Sequence, residues 1–329
     1  MVDSFVMESR TLVQDALLGV AVGDALGVPA EFVSRSLRDD NPITGMCEKG
    51  SHNQLAGTWS DDTSLTLCLA EMLCGPYNLK TLAGYFINWK EHGFYTARGY
   101  VFDIGIATSV AIHNLASCID PTLAGGIDEY SNGNGSLMRI LPLVFLIKDM
   151  PIEQRYKFTQ EVSSLTHRHI RSVVACFIYL EYARLIINGY DKMTAYGLMQ
   201  KNVLSFLSEG DVCPYEELSK FHRILEIKVG NYDLCKLVDA SVDDIYSSGY
   251  VINTLEASLW CILHSNGFSE AVIKAVNLGE DTDTTGAVTG GLAGLLYGAQ
   301  AIPADWLVVL ARRDEIEDLA ARMTEQMML

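Results

Sequence analysis

Residues 284–304 make a run of 21 without a single charge, and within it Gly286, Gly290, Gly294 and Gly298 recur every four residues. On a helix that spacing lines the glycines along one face. A face without side chains lets a second backbone come closer than ordinary side-chain packing permits. The run is also long enough to cross a membrane. Against a span stand five glycines and Pro303 inside it, acids Asp283 and Asp305 at its borders, and no Lys or Arg nearby to set a topology. The pattern predicts a closely packed core helix.

Helical periodicity dominates the rest of the chain. Leu12, Ala16, Leu17, Val20 and Ala21 follow 3–4 spacing and predict an amphipathic helix over 12–26. Further helices are predicted over 65–73, 82–89, 104–115, 251–263, 271–277 and 314–328. Residues 170–187 are apolar nearly all round, as a central buried helix would be. No run of alternating β-branched residues joined by Asn-Gly or Asp-Gly turns is present. The expected fold is all-α, one compact domain over 1–329, with 189–248 a peripheral helical insertion.

Composition narrows the function. Asp and Glu number 41 against 24 Lys and Arg, a net charge of −17. That balance argues against binding a phosphate backbone or an anionic membrane. The eight cysteines form no CxxC pair, and residues 1–10 lack the basic-then-apolar pattern of a secretion signal. Free, mostly buried thiols in a reducing cytoplasm are the expectation.

Five polar loops between apolar helices, together with Asp103 outside them, hold the candidate chemistry. Ser60, Asp61 and Asp62 precede a helix, where acids suit the N-terminus and Thr63 or Ser64 would cap it. The same oxygens suit a hard cation. Asp281, Asp283 and Thr284 repeat the theme before the glycine helix, without the spacing of a calcium-hand loop. Two such loops together point to a pair of metals. Gly133, Asn134, Gly135 and Ser136 lie in a flexible segment read as running into a helix, either an anion cradle or a plain turn. His167 stands two residues from His169, the wrong spacing for a metal pair on one helix face, but open to a phosphate or ring contact. Asp103 reads as a helix N-cap and Glu31 as an exposed acid after a Gly-Pro turn, unless each serves the site.

The order of these motifs resembles that of the ADP-ribosylglycohydrolase family, the dinitrogenase reductase-activating glycohydrolase and ADP-ribosylarginine hydrolase type. The resemblance runs from Gly23-Asp24-Ala25-Leu26-Gly27 through Trp59-Ser60-Asp61-Asp62-Thr63, Gly133-Asn134-Gly135-Ser136-Leu137-Met138-Arg139 and Leu165-Thr166-His167 to Asp281-Thr282-Asp283-Thr284-Thr285-Gly286. It implies two divalent cations, Mg²⁺ or Mn²⁺, at the bottom of an ADP-ribose cleft. Ser60, Asp61 and Asp62 match one metal-ligand set, and Asp281, Asp283 and Thr284 the other. Glu31, Asp61, Asp103 and Asp281 match the catalytic acids. Gly133, Asn134, Gly135, Ser136 and His167 match the ligand-binding loops. The implied reaction is removal of ADP-ribose from a protein side chain, most simply arginine, by water held at the metals attacking ribose C1″. ADP-ribosylated protein is then the substrate and ADP-ribose the product, with no nucleic-acid or membrane partner. Two departures bear on this: Ser60 stands where many members have Thr, and Ile106 where some have Asn. They leave open a member of the fold that binds ADP-ribose or a partner without turnover.

Overall fold

The computed structural model describes residues 2–209, 212–228 and 236–328, with residues 2–11 described as backbone alone. The chain folds as one compact helical domain. Its longer helices are α1 (Val2–Gly27), α2 (Asp61–Leu73), α3 (Leu79–His92), α4 (Ile106–Ala116), α5 (Ile152–Ser164), α6 (Ile170–Ile187), α7 (Lys192–Glu209), α8 (Val251–Leu263), α9 (Phe268–Val276), α10 (Thr282–Tyr297) and α11 (Arg313–Met327). Among the described residues there is no β-strand, only three isolated bridges.

The glycine helix is α10, and its partner is α1. A Cβ added to Gly290 would lie 2.1 Å from the Gly19 carbonyl oxygen, and one on Gly19 would lie 2.2 Å from that of Gly290. Gly23 and Gly286 show the same mutual exclusion at 2.0 and 2.3 Å. Gly294 closes on the Asp15 carbonyl at 2.1 Å, and Gly27 on the Asp283 Cα at 2.3 Å. The seam is thus glycine against glycine, because at this separation no side chain fits on either helix. Gly298 departs from the expected stripe: with φ of 78° it ends α10 and takes no part in the seam. The apolar run therefore breaks before Pro303, which instead caps a short helix (Ala304–Val309). By length and composition the stretch that could cross a membrane is Leu12–Ala30, and 83% of it is buried within the protein.

The remaining helices wrap this pair. α11 and α2 pack on α1, while α8 and α9 pack on α10. α6 is buried at nearly every position, as its apolar circumference predicts. Local signals set helix ends: Asn78 Oδ1 accepts from the amides of Lys80 and Thr81 to start α3, and Gly93 at φ 72° stops it. α5 was not predicted, because its buried face carries Arg155, Thr159, Ser163 and Ser164 beside Tyr156 and Val162 and so shows little apolar period. α7 lies inside the 189–248 segment and buries Ala195, Tyr196, Met199, Val203 and Leu207, packing on α6. The seven described cysteines are free, four of them buried, and Cys235 lies outside the described residues.

The seam makes a direct prediction. Gly290→Ala forces a Cβ into the Gly19 carbonyl and is expected to cost about 3 kcal/mol or more. Gly84→Ala, on an exposed turn of α3 with nothing within 4 Å, is expected to stabilise by about 0.5–1 kcal/mol. Denaturant midpoints of the two variants check both signs.

Candidate active site

Asp24 lies near the end of α1 and is fully buried. Its Oδ1 accepts from the Ser60 amide at 2.9 Å. Its Oδ2 accepts from the Thr63 amide at 2.9 Å and the Thr63 hydroxyl at 2.6 Å. One carboxylate from α1 so satisfies donors that the start of α2 leaves open. Ser60 is the N-cap, its Oγ accepting from the Asp62 amide at 3.3 Å and donating to Asp62 Oδ2 at 3.1 Å. Asp61 and Asp62 fill the first turn, where the helix dipole favours negative charge.

The start of α10 supplies the facing acids. Asp281 holds the N-cap position and makes no capping bond, leaving its carboxylate for other partners. Asp283 Oδ1 accepts from the Thr284 amide at 2.9 Å. The Thr284 hydroxyl reaches Asp62 Oδ2 at 3.4 Å, so the two acidic loops meet. Glu31 follows α1 and brings a carboxylate oxygen within 4.8 Å of oxygens of Asp281 and Asp283. His52 hydrogen-bonds Glu31 and forms an equally tight group with Glu31 and Asp103. The His52 ring sits 5.8 Å from Phe32 and 5.3 Å from Phe102.

These groups open on a cleft of about 400 Å³ whose walls include Glu31, Asp61, Asp103, Gly133, Asn134, Gly135, His167, Asp281 and Thr284. Asn134 joins the glycine loop to the acids: its Nδ2 donates to Asp281 Oδ2 at 2.9 Å and to Thr254 Oγ1 at 2.9 Å. Its amide donates to the Gly249 carbonyl at 3.0 Å.

Burial drives the electrostatics. Asp61, Asp62 and Asp283 are pushed well above the usual carboxylate range by burial first and by neighbouring acids second. Glu31 is pushed up to about 9 by burial, then by Asp103, Asp281 and Asp61. Asp103 is raised by burial against the opposing pull of His52. Among the described residues, His52 is the one base in an ion-pair contact with these acids. Asp62 Oδ1 and Asp281 Oδ1 are buried without any hydrogen-bond partner. Buried carboxylates normally find a partner. Orphaned oxygens beside hydroxyls, with no Lys or Arg to balance them, fit a hard divalent cation.

The family model described as ADP-ribosylglycohydrolase matches residues 7–328. The chain belongs to the ADP-ribosylglycohydrolase family. It is 34% identical to an ADP-ribosylarginine hydrolase Tri1 of Pseudomonas putida (strain GB-1), over 94% of this chain and 77% of that protein. It is 26% identical to an ADP-ribosyl-(dinitrogen reductase) glycohydrolase of Rhodospirillum rubrum, over 92% of this chain and 91% of that protein. A solved structure titled ADP-ribosylglycohydrolase-related protein complex superposes with a TM-score of 0.74 at 29% identity, covering 97% of this chain and 99% of that one. The chain is accordingly a hydrolase of the ADP-ribosylglycohydrolase class.

Within this family member the structure corrects several expectations. Ser60, not Thr63 or Ser64, caps α2; the Thr63 hydroxyl goes to Asp24 and that of Ser64 to the Ser60 carbonyl at 2.8 Å. Gly105, not Asp103, caps α4, which frees Asp103 for the cleft wall. Glu31 is buried, not exposed. The segment 131–139 runs into turns and not into a helix; the next helix (Leu143–Ile147) starts later. Any anion held at Gly133 and Gly135 therefore meets turn amides without a helix dipole behind them. Ser136 is fully buried, and its hydroxyl contacts Cys176 Sγ at 3.4 Å and accepts from Ser163 at 3.0 Å, away from the cleft. His169 leaves the site to cap α6, its Nδ1 accepting from the Arg171 amide at 3.2 Å. Ile106 is 86% exposed on the cleft rim. Asp24 and His52 were missed as site residues. Asp24 had a signal in its place inside an otherwise apolar helix end, whereas His52 had none.

The acids make stability a pH readout. Their folded pKa values lie above the unfolded ones, so the metal-free protein binds extra protons and loses stability as pH rises from the ordinary carboxylate range towards about 9, the value for Glu31. The melting temperature without divalent cation is expected to fall by roughly 5 °C between pH 6 and pH 9. Saturating Mg²⁺ or Mn²⁺ is expected to remove most of that slope. Scanning calorimetry with and without a chelator checks it.

Proposed function

We propose that this cleft removes ADP-ribose from arginine side chains of modified proteins, with two divalent cations, Mg²⁺ or Mn²⁺, held by the acidic loops. The observation that carries the reading is the pair of orphaned buried oxygens, Asp62 Oδ1 and Asp281 Oδ1, on two loops joined through Thr284. Identities of 34% and 30% to two proteins named ADP-ribosylarginine hydrolase support the arginine linkage.

Ser60, Asp61, Asp62, Asp281, Asp283 and Thr284 would hold the cations. Divalent cations in such a site polarise ribose hydroxyls and make water a stronger nucleophile near neutral pH. Ser60 keeps the oxygen of the Thr found in many family members, and its bond to Asp62 fixes the rotamer that a methyl would otherwise restrict. The amides of Gly133 and Gly135, with His167, would hold the diphosphate.

Bond cleavage at ribose C1″ develops oxocarbenium character, so the leaving group must depart without its electron pair staying on carbon. The C1″–N bond breaks toward the guanidine nitrogen, which takes a proton from a carboxyl group. Water adds its oxygen to C1″ and loses its proton to a carboxylate. Glu31 and Asp103, both raised and with carboxylate oxygens within 4.8 Å of each other beside His52, supply the carboxyl and carboxylate forms that this exchange needs. The products are ADP-ribose and unmodified arginine.

Incubation with ADP-ribosyl-arginine and ADP-ribosyl-serine proteins, with Mg²⁺, Mn²⁺ or chelator, tests the reading. Release of ADP-ribose from the arginine substrate is expected, abolished by chelator and lowered about 10²-fold or more by Asp281→Asn. Release from serine alone would overturn the linkage, and full activity in chelator the role of the cations.

A further inference from the structure

Arg139 follows the glycine loop in the chain as a buried cation, and it has no carboxylate partner among the described residues. It is fully buried, with its guanidinium 4.7 Å from the Phe86 ring centroid. Its Nη2 donates to the Val162 carbonyl at 3.2 Å and to Thr166 Oγ1 at 2.7 Å. Its Nε and Nη1 have no partner. Thr166 is fully buried too, and its Oγ1 lies 3.0 Å from His167 Nδ1.

The protons in this chain can be placed by counting. A guanidinium only donates, so Thr166 Oγ1 accepts from Arg139. The hydroxyl has one proton of its own, and His167 Nδ1 is its one acceptor among the described residues. Nδ1 then carries a lone pair and the neutral imidazole its proton on Nε2; the reverse, Nδ1–H donating to Oγ1, would leave the buried hydroxyl proton without an acceptor. Burial, and after it the charge of Arg139, push the His167 pKa down to about 3, so the ring stays neutral at working pH.

Nε2 has no hydrogen-bond partner among the described residues, and His167 lines the cleft. The ring also crowds the glycine loop, most tightly at Gly135, where the Thr108 hydroxyl crowds it equally. A Cβ on Gly135 would lie 2.8 Å from His167 Cε1, and one on Gly133 would lie 3.4 Å from Nε2. No Lys or Arg is among the residues lining this cleft. No cationic side chain of the cleft wall therefore meets an anion bound here.

We propose that Arg139 and Thr166 are positioning residues that fix His167 in its Nε2–H form, giving the cleft a neutral donor of one defined direction for a phosphate oxygen of the ligand. The direction of that donor is set two residues away from the ligand, by a cation that never touches it. The phosphate part rests on the reading of the cleft as an ADP-ribose site; the tautomer part does not.

Nitrogen-15 NMR of histidine-labelled protein reads the tautomer directly. The wild-type protein is expected to show His167 with Nε2 protonated and Nδ1 bare, unchanged between pH 6 and pH 8. Thr166→Val, which keeps shape and removes the hydroxyl, is expected to shift the ring towards Nδ1–H. It is also expected to weaken ADP-ribose binding about tenfold in calorimetry with Mg²⁺ present. Thr166→Ser is expected to restore both. A protonated Nδ1 in the wild type overturns the proposal even if the valine variant fails to fold, and so does a valine variant with unchanged tautomer and affinity. The expected tautomer without ADP-ribose binding by the wild-type protein overturns the ligand reading and leaves the tautomer assignment standing.

Discussion

The contact between α1 and α10 is made of backbone, and the site inherits its geometry from it. Side-chain packing leaves an ångström or more of adjustment through rotamers. Glycine faces in mutual contact leave none, because there is nothing to rotate. At the site end of the seam, Gly27 touches the backbone of Asp283, and the Thr282 hydroxyl donates to the Gly27 carbonyl at 2.7 Å. One turn before Gly27, Asp24 holds the start of α2. A few residues after it, Glu31 turns into the cleft. Three acidic segments far apart in the chain are therefore registered by one helix pair. At the other end Asp15 accepts from the Ala299 amide at 2.7 Å and fixes where α10 stops.

That registration concentrates negative charge where burial makes it costly. Most of the acids in the cleft are raised by desolvation before any neighbour is considered, and the protein offers them one histidine. On the proposed function an anionic ligand would bind beside these acids, in a chain whose balance is already −17. The structure separates the two problems in space. The carboxylates gather at the ends of α1, α2 and α10, while turn amides and a neutral imidazole face the glycine loop. The buried guanidinium of Arg139, which follows that loop in the chain, is not part of the cleft wall.

Most of the longer helices and their order, α5 apart, were legible in the sequence because apolar periodicity and burial coincide there. The predictions over 170–187 and 251–263 match α6 and α8 at both ends. The candidate acids were legible because two acidic-hydroxyl loops before apolar helices are rare together. What was not legible was relational. The stripe on α10 announced a close neighbour, but its partner stripe at Gly19, Gly23 and Gly27 carries the same four-residue spacing inside a helix read for its apolar face. Asp24 looked like a lone acid, since nothing local tells that a helix start will be placed beside it. Ser136 and the helix expected behind it failed for one reason: 131–139 winds through turns, and a turn decides side-chain direction residue by residue.

The seam also constrains how such a protein can change. Glycine is the smallest residue, so every substitution at Gly19, Gly23, Gly286 or Gly290 adds atoms, and no compensating deletion exists on the facing helix. Drift along the seam is one-sided and closed, whereas the rim, where Ile106 stands in solvent, is far freer to change. The mouth of the cleft can change its shape and polarity without moving a single carboxylate at its base.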